Sequence, residues 1–288
     1  MATGLDPCFV AHQLIQLQRQ GLDRLDAQLL LLHVLQRPAH DRAWLLAHDT
    51  DLLAPDTQAA LNRLAARRLD GEPLAYLTGH KEFYGLDLVV DARVLDPRSD
   101  TETLVEWALN VLADQPAGSV VDLGTGSGAI ALALKATRPA LRVTAVDYSA
   151  DALAVAQANA QRLHLDVEFL QGSWLAAVAA TGPRRFDVIA SNPPYIPVAD
   201  HHLAALTHEP LQALASGGDG LDDIRQIIAQ APDHLKSGGW LLLEHGYDQA
   251  VTVRALMQEA GFAEVQSRND LAGIERCSGG RLMQPPPR

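Results

Sequence analysis

Strong positive charge and long apolar runs are both missing from this chain. Its 288 residues include 23 lysines and arginines against 35 aspartates and glutamates, which gives a formal net charge of −12. A protein whose main partner is bare nucleic acid needs a basic surface for phosphate contacts, so this balance disfavours that class. No apolar run approaches the roughly 20 residues of a membrane span. We therefore expect neither direct binding of nucleic acid nor insertion into a membrane.

Cysteine is also scarce, and the two cysteines lie at opposite ends of the chain. Cys8 and Cys277 form neither a disulfide framework nor the spacing of a zinc site. The first residues lack a basic segment followed by an apolar one, so we expect no secretory signal. Together these absences favour a protein of the reducing cytoplasm. The apolar content of 48% is enough for one large domain or two unequal ones.

The chain begins with a region of helical pattern. Leucines recur at steps of four and three, which predicts an amphipathic helix, at Leu25, Leu29, Leu32 and Leu35. We expect residues 5 to about 70 to form a small antiparallel helical bundle. Gly71–Gly79 then breaks the pattern. Two short stretches, Glu82–Val90 and Arg93–Leu95, predict the strands of a β-hairpin that links the bundle to the rest of the chain.

From Ser119 onward, predicted strands and helices alternate, which is typical of a parallel sheet covered by helices on both faces. The strands fall near residues 119–123, 141–146, 167–170, 186–191 and 239–243. The helices fall near residues 104–112, 129–137, 150–163, 221–235 and 248–260. An antiparallel strand pair is expected at about 264–277. We expect a helical domain at 1–75, a hairpin linker at 76–97, an α/β domain at 98–282 and a disordered tail at 283–288.

The tetrapeptide Asn192-Pro193-Pro194-Tyr195 directly follows a predicted strand, where open α/β sheets bind their ligands. Proline biases the residue before it toward an extended backbone. The two prolines stiffen the turn and offer carbonyl acceptors without N–H groups. An amide oxygen and neighbouring carbonyls can converge on a planar –NH2 group, which has two protons to donate. Tyr195 adds an aromatic face that could stack on a flat substrate group.

A second motif follows the predicted strand at 119–123 and opens a helix. It consists of Gly124, Thr125, Gly126, Ser127 and Gly128. Glycines allow tight φ values and a close approach of the backbone to a ligand. The next strand ends in Asp147, whose carboxylate can accept hydrogen bonds from ribose hydroxyls. Strand, glycine turn and helix predict a nucleotide-binding unit.

The glycine turn fits both a dinucleotide and S-adenosylmethionine. Three features favour the second ligand. Gly128 extends the turn to G-x-G-x-G. Asp122 precedes the turn, and an acidic residue there suits a cationic methionine ammonium better than a pyrophosphate. A dehydrogenase has no use for Asn-Pro-Pro-Tyr after its fourth strand.

The pair of motifs resembles that of class I S-adenosylmethionine-dependent methyltransferases, which implies a Rossmann-like, mostly parallel sheet with an antiparallel C-terminal strand. Asn-Pro-Pro-Tyr is shared by DNA adenine methylases, some ribosomal RNA guanine methylases and protein glutamine methylases. Further stretches resemble the bacterial release factor glutamine methyltransferases (the HemK/PrmC family) from about residue 60 to about residue 280. They are Gly71–Gly79, Glu82–Leu86, Pro97-Arg98, Thr101-Glu102, Glu209-Pro210 and Gly217–Asp222. Ser99 departs from the Pro-Arg-Pro of that family.

The resemblance implies methyl transfer from S-adenosylmethionine, with S-adenosylhomocysteine as product, to N5 of the glutamine in the Gly-Gly-Gln loop of class-1 peptide release factors. It also implies that the helical domain docks the release factor; we expect a monomer. The implied cofactor residues are Gly124, Thr125, Gly126, Ser127, Gly128, Asp147, Trp174 and Asn192. The implied substrate residues are Asn192, Pro193, Pro194 and Tyr195, and of these Asn192, Pro193 and Tyr195 are expected to be catalytic.

Several residues with metal-binding or acid–base chemistry are given no catalytic role. His201, His202, His208 and Glu209 follow the tetrapeptide, but their spacing matches no compact zinc pattern, so we expect a lid there and no metal. Glu244-His245 ends another predicted strand and is expected to be structural rather than an acid–base pair.

Three alternatives remain open. The first is a glutamine methyltransferase of a ribosomal protein, whose pocket would be nearly identical. The second is a nucleic-acid methylase that flips a base into the same pocket and methylates its exocyclic amino group. The third is a binding module without catalysis. The net charge disfavours the second, and the intact motifs disfavour the third.

Overall fold

The chain divides into two compact units, residues 1–79 and 80–288. The computed structural model describes residues 9–284 of them. Cys8 and most of the tail predicted at 283–288 therefore lie outside the described residues.

The first unit contains five helices within its described residues. They are α1 (Val10–Arg19), α2 (Arg24–Val34), α3 (Arg42–Ala47), α4 (Pro55–Leu69) and α5 (Leu74–Thr78). Asp23 caps α2 because its carboxylate accepts a hydrogen bond from the backbone N–H of Leu25 at 2.7 Å. Pro55 begins α4, where its missing N–H costs nothing.

The predicted apolar face of α2 is shifted from the observed one. Leu25 is 45% exposed, whereas Ala27, Leu30 and Leu31 are fully buried. The reason is the run of four leucines at 29–32, which is compatible with more than one helical phase. The helix itself was predicted, and its orientation was not.

The hairpin at the start of the second unit differs from the prediction. Its strands are β1 (His80–Phe83) and β2 (Leu86–Val89). Tyr84 and Gly85 both have positive φ, 50° and 77°, which makes a tight turn inside the stretch predicted as one strand. The stretch 93–95 forms a turn and a bend instead of the second strand. Because α5 continues to Thr78, the hairpin starts at residue 80 and not at residue 76.

The centre of the second unit is a seven-stranded sheet of order β5-β4-β3-β6-β7-β9-β8. Its strands are β3 (Ser119–Leu123), β4 (Arg142–Asp147), β5 (Glu168–Gln171), β6 (Phe186–Ser191), β7 (Leu235–Glu244), β8 (Ala263–Asn269) and β9 (Glu275–Arg281). Strands β3 to β7 pair in parallel, and β9 pairs antiparallel with both β7 and β8.

Within its described residues, this unit has six α-helices beside the sheet. They are α6 (Glu102–Val111), α7 (Ala129–Thr137), α8 (Ala150–Leu163), α9 (Trp174–Ala179), α10 (Asp222–His234) and α11 (Ala250–Glu259). All five residues of β3 are buried, as a strand covered on both faces requires. The helix α9 was not predicted. No described helix is long and apolar enough to cross a membrane.

The order of the strands brings the two sequence motifs together. From β3 the chain runs outward to β4 and β5, then crosses to β6 on the other side of β3. Leu123 pairs with Ser191 at the ends of β3 and β6. The next residues along the chain are Gly124 and Asn192, so the glycine turn and Asn-Pro-Pro-Tyr emerge side by side where the strand order reverses. Ligands of open α/β sheets bind at such a point.

One contact of the core leads to a stability prediction. A Cβ built on Gly279 of β9 would lie 2.6 Å from Leu242 Cδ2 and 2.9 Å from the ring of Trp107, which is fully buried on α6. We expect Gly279→Ala to lower the free energy of unfolding by about 1–3 kcal/mol, because the rigid ring cannot yield. Gly218→Ala, where a Cβ meets no atom within 4 Å, is the matched control. Denaturant unfolding of both variants compares them, and equal stabilities would contradict the expectation.

Candidate functional site

A cavity of about 250 Å³ opens at the carboxyl ends of β3, β4, β5 and β6. Six of the predicted site residues line it: Gly124, Gly126, Asp147, Trp174, Asn192 and Pro194. The other five are not among the lining residues in the described part of the chain: Thr125, Ser127, Gly128, Pro193 and Tyr195. The second group belongs to the same two turns.

The glycine turn has the left-handed backbone that its sequence requires. Gly124, Gly126 and Gly128 have φ values of 71°, 55° and 87°. The backbone N–H groups of Gly124 and Thr125 both donate to the carbonyl of Val146, at 2.9 and 3.0 Å. A Cβ built on Gly126 would meet no atom within 4 Å, so the protein leaves open space over this lining residue.

Asp122 supports the turn from inside the protein. It is fully buried, and its Oδ2 accepts hydrogen bonds from Thr125 Oγ1 at 2.6 Å and from the backbone N–H of Ala131 at 3.2 Å. Its Oδ1 is buried and has no hydrogen-bond partner within residues 9–284. Burial raises the pKa of Asp122 to about 7, against the effect of these two hydrogen bonds.

Asp147 connects the end of β4 to the glycine turn. Its Oδ2 accepts from the backbone N–H of Gly126 and its Oδ1 from that of Ser149, both at 2.9 Å. Burial raises the pKa of Asp147, although three backbone N–H groups oppose the shift. Each carboxylate oxygen can accept more than one hydrogen bond, so the side chain keeps capacity for a ligand hydroxyl.

Trp174 covers the opposite side of the turn. A Cβ built on Gly124 would lie 3.2 Å from its ring, so a side chain there would push on the indole, and the φ of 71° would add strain. The indole Nε1–H donates to Asp223 Oδ1 at 3.2 Å, which fixes the ring plane. Trp174 also has a positive φ of 45°, an uncommon conformation for a bulky residue, at the start of α9. The hydrogen bond to Asp223 holds an aromatic face at the cavity wall in spite of this strained backbone conformation.

Asn192 is partly buried and oriented by a contact with the segment that precedes α6. Its Nδ2 donates to Thr101 Oγ1 at 3.2 Å. Its Oδ1 takes no part in that hydrogen bond. Behind it, Ser191 Oγ donates to the carbonyl of Leu123 at 2.7 Å and ties the ends of β6 and β3 together. Pro193, next in the chain, is buried.

Tyr195 has its ring packed against the hydrophobic core of the second unit rather than in the cavity wall. Its carbonyl accepts from Gln249 Nε2 at 3.0 Å, and a Cβ built on Gly220 would come within 2.2 Å of that oxygen. Burial, then the charge of Glu244, raises the pKa of the Tyr195 hydroxyl. The structure thus makes Tyr195 an anchor of the loop.

Sequence reasoning missed several lining residues: Arg93, Tyr148, Ser173, Gln212 and Asp223. Tyr148 and Ser173 directly adjoin predicted residues, and this adjacency was a usable signal. Arg93 and Gln212 are distant in sequence from both motifs, and only the fold brings them to the cavity.

The residues with metal-binding chemistry are divided between two environments. Asp200, His201 and His202 each place one ligand atom within 4.8 Å of the others, near the surface. Glu209 is buried and paired instead with Arg98. The expectation that no metal binds here stays a prediction.

The chemistry of the cavity fits the predicted cofactor. Asp147 offers acceptors for hydroxyls and Trp174 an aromatic face for a base. Asp122 places an acidic group behind the glycine turn, and one of its oxygens has no hydrogen-bond partner among the described residues. A nearby positive charge would lower the pKa of Asp122 and stabilise its ionised form, so the site favours a cationic ligand.

The chain matches two family models: a methyltransferase small domain over residues 100–221 and a PrmC N-terminal domain over residues 11–79. The release factor glutamine methyltransferase of Bordetella pertussis is 53% identical over 264 residues, which are 91% of this chain and 96% of that protein. The protein of that name in Coxiella burnetii is 48% identical over 255 residues, 88% of this chain and 90% of its own.

Among solved structures, a methyltransferase from Pyrococcus furiosus is 21% identical with a TM-score of 0.50, and the match covers 76% of this chain and 97% of that one. This likeness and the observed sheet confirm the predicted fold class.

The buried Asp122 predicts an unusual dependence of stability on pH. Its pKa is about 7 in the folded protein, against about 3.9 in an unfolded chain, so the folded state retains a proton that the unfolded state loses. The contribution of Asp122 to the free energy of unfolding therefore falls as pH rises from about 4 to about 7. Asp122→Asn removes this titration. The increase in the free energy of unfolding of the variant over wild type should therefore be larger at pH 8 than at pH 5, by on the order of 3 kcal/mol. Chemical denaturation without ligand measures the gain.

Asp187→Asn serves as the control of opposite sign. Burial raises the pKa of Asp187, but hydrogen bonds from Lys236 and Ser119 prevail and hold it below its ordinary value. Both its folded and unfolded titrations thus lie below pH 5, so this variant should lose similar stability at both pH values. A gain for Asp122→Asn that did not change with pH would contradict the assigned ionisation.

Proposed function

Because the chain belongs to the release factor glutamine methyltransferase family, we propose that it transfers a methyl group from S-adenosylmethionine to N5 of the glutamine in the Gly-Gly-Gln loop of class-1 peptide release factors. The observation that carries the proposal is the position of two motifs on paired strands. The glycine turn and Asn-Pro-Pro-Tyr follow Leu123 and Ser191, which are partners in the sheet. A cofactor site and an amide-binding site would therefore share one cavity.

The cofactor is assigned to the β3–β4–β5 side of the cavity. The glycine turn would lie against its methionine part, Asp147 would accept from its ribose, and Trp174 would stack on its adenine. When bound, this cofactor supplies an activated methyl group on a sulfonium. The open space over Gly126 and the acidic group behind the turn support this assignment.

The substrate amide is assigned to the loop after β6. An amide nitrogen is a poor nucleophile, because its lone pair is delocalised into the carbonyl. Asn192 Oδ1 and the Pro193 carbonyl would accept its two N–H protons, fix the rotation of the amide and favour the positive charge that develops on nitrogen. Such positioning can supply about 7–11 kcal/mol of a barrier at best. No strong general base is required, since the nitrogen would become acidic only as the methyl group arrives, and its surplus proton would then leave to water.

Recognition of the rest of the substrate is assigned to the first unit. Residues 11–79 match the PrmC N-terminal domain, and we infer that these helices dock the release factor as a monomeric enzyme. We further infer a cytoplasmic location, because release factors act there on the ribosome. The net charge of −12 supports a protein substrate over a nucleic acid.

The decisive experiment is transfer of label from methyl-labelled S-adenosylmethionine to a purified class-1 release factor. A release factor with Gln→Ala in its Gly-Gly-Gln loop is the control. We expect label on the wild-type factor alone, located on that glutamine by fragmentation mass spectrometry. Asn192→Ala should keep the fold and lose about 100- to 1,000-fold in kcat, since one transition-state acceptor is removed.

Other results of this experiment would redirect the assignment. Label on both factors would place the methyl group on another residue. Label on neither, with cofactor still bound, would point to a ribosomal protein or a nucleic acid as substrate. Near-normal turnover by Asn192→Ala would refute the role given to that amide.

Cofactor binding provides a separate prediction at Trp174. Trp174→Ala should weaken binding of S-adenosylhomocysteine about 10- to 100-fold, because stacking of a base on an aromatic ring is worth about 1–3 kcal/mol. Trp174→Phe keeps a smaller aromatic face and loses the hydrogen bond to Asp223, so it should bind more tightly than the alanine variant. Isothermal titration calorimetry compares the three proteins, and equal affinities would exclude stacking.

A further inference from the structure

We propose that Glu244, acting through Thr101, holds the side-chain amide of Asn192 with its oxygen toward the substrate and is thus a positioning residue for methyl transfer. The proposal rests on the proposed function, because it gives Asn192 Oδ1 the role of acceptor. It adds two residues to the site, Thr101 and Glu244, neither of which lines the cavity.

Strand order brings the three side chains together. Ser191 at the end of β6 pairs with Leu243 of β7. Asn192 and Glu244 are the next residues on these neighbouring strands. Thr101 ends the short 3₁₀ helix Ser99–Thr101 before α6 and is 4% exposed. The side chains of Thr101 and Asn192 lie close enough to the Glu244 carboxylate to lower its pKa against the effect of burial.

The polarity of these hydrogen bonds decides which way the amide faces. An ionised carboxylate can only accept, so we assign the single hydroxyl proton of Thr101 to the neighbouring Glu244. Thr101 Oγ1 must then accept from Asn192, and it does so from Nδ2 at 3.2 Å. We call this chain of side chains, from Glu244 through Thr101 to Asn192 Nδ2, the relay. The amide oxygen of Asn192 therefore faces away from Thr101 and Glu244. A side-chain amide with no such partners could rotate by half a turn and present its –NH2 group, which cannot accept from the substrate.

The burial of Glu244 shows that stability alone does not account for it. The residue is 1% exposed, and its Oε2 has no hydrogen-bond partner in the described part of the chain. A buried carboxylate with an unpaired oxygen is costly, and an apolar residue of similar volume is commonly more stable. Glu244 lies at the end of β7, beside the amide of Asn192. An ionised carboxylate there can accept hydrogen bonds but cannot donate them, and this fixes the direction of the bonds around that amide.

Protonation of Glu244 would release the relay. Burial raises its pKa to about 7. The charged and titratable groups that face it are Arg276 and Cys277 on β9, Asp100 beside Thr101, and Tyr195 on the loop after β6. Once protonated, the carboxyl can donate to Thr101 Oγ1, and the threonine proton becomes available to Asn192 Oδ1. The amide oxygen is then drawn toward the relay instead of the substrate.

Variants of Thr101 test the relay in the full-length enzyme. Thr101→Val removes the hydroxyl with little change in shape and should lower kcat about 10- to 100-fold through misplacement of the acceptor. Thr101→Ser keeps the hydroxyl and should retain most of kcat. Thr101→Val should have no further effect in an Asn192→Ala background, because it acts through that amide. Retention of kcat by Thr101→Val, or effects that multiply in the double variant, would overturn the proposal.

Ser278→Ala controls for general damage to the core. Ser278 is fully buried on β9, and its hydroxyl is hydrogen-bonded to His245 Nε2 and to Ser267 Oγ, both at 2.8 Å. It should lower the melting temperature and leave kcat near that of wild type. A comparable loss of kcat in this variant would mean that lost stability of the core, and not a misplaced amide, explains the effect of Thr101→Val.

A second measurement works even if the substrate is not a release factor. The ¹H–¹⁵N signals of the Asn192 side chain, assigned by their loss in Asn192→Ala, report the relay in the free protein. They should shift between pH 5.5 and pH 8.5 in wild type and not in Glu244→Gln, which cannot titrate. Signals that are unchanged over this range, or that shift equally in both proteins, refute the relay. Absence of methyl transfer with the expected shifts would refute the proposed function alone.

Discussion

The pairing of β3 with β6 is the contact on which the rest of the site depends. Backbone pairing of Leu123 with Ser191, strengthened by the bond from Ser191 Oγ to the Leu123 carbonyl, fixes the relative height of the two strand ends. A slip of one residue would reverse the faces of every following side chain. With the register fixed, a turn that suits a nucleoside and a turn that suits an amide lie next to each other. The relay from β7 depends on the same constraint, because Leu243 pairs with Ser191.

Much of the second unit could be predicted because its strands are buried on both faces and its turns have unmistakable chemistry. The observed β3 and β6 coincide with the stretches predicted at 119–123 and 186–191. The hairpin was misplaced because its hydrophobic alternation continues through the turn at Tyr84 and Gly85, where only backbone conformation marks the reversal. The inward packing of Tyr195 was not foreseen either, since a sequence does not show which face of a loop meets the core. Arg93 reaches the cavity wall through tertiary packing alone.

Two buried carboxyls share a common position at the carboxyl edge of the sheet. Asp122 lies one residue before the end of β3 and Glu244 is the last residue of β7, and burial raises the pKa of each to about 7. Neither lines the cavity, and each organises a turn that does. In both cases an oxygen is left unpaired among the described residues. The site therefore keeps ionisable groups that a sequence selected for stability alone would replace.

The anchoring of Tyr195 has a consequence for the partner rather than for the enzyme. Two prolines, the packed tyrosine ring and the bond from Gln249 to its carbonyl leave the loop after β6 little freedom to adapt. The shape of the acceptor is fixed before anything enters, so conformational adjustment falls to the incoming peptide. A glutamine preceded by two glycines suits such a pocket, since neither glycine carries a side chain and both allow φ values that other residues rarely adopt. Selectivity would then arise in part from the backbone flexibility of the substrate peptide. A larger side chain next to the same glutamine would be excluded sterically.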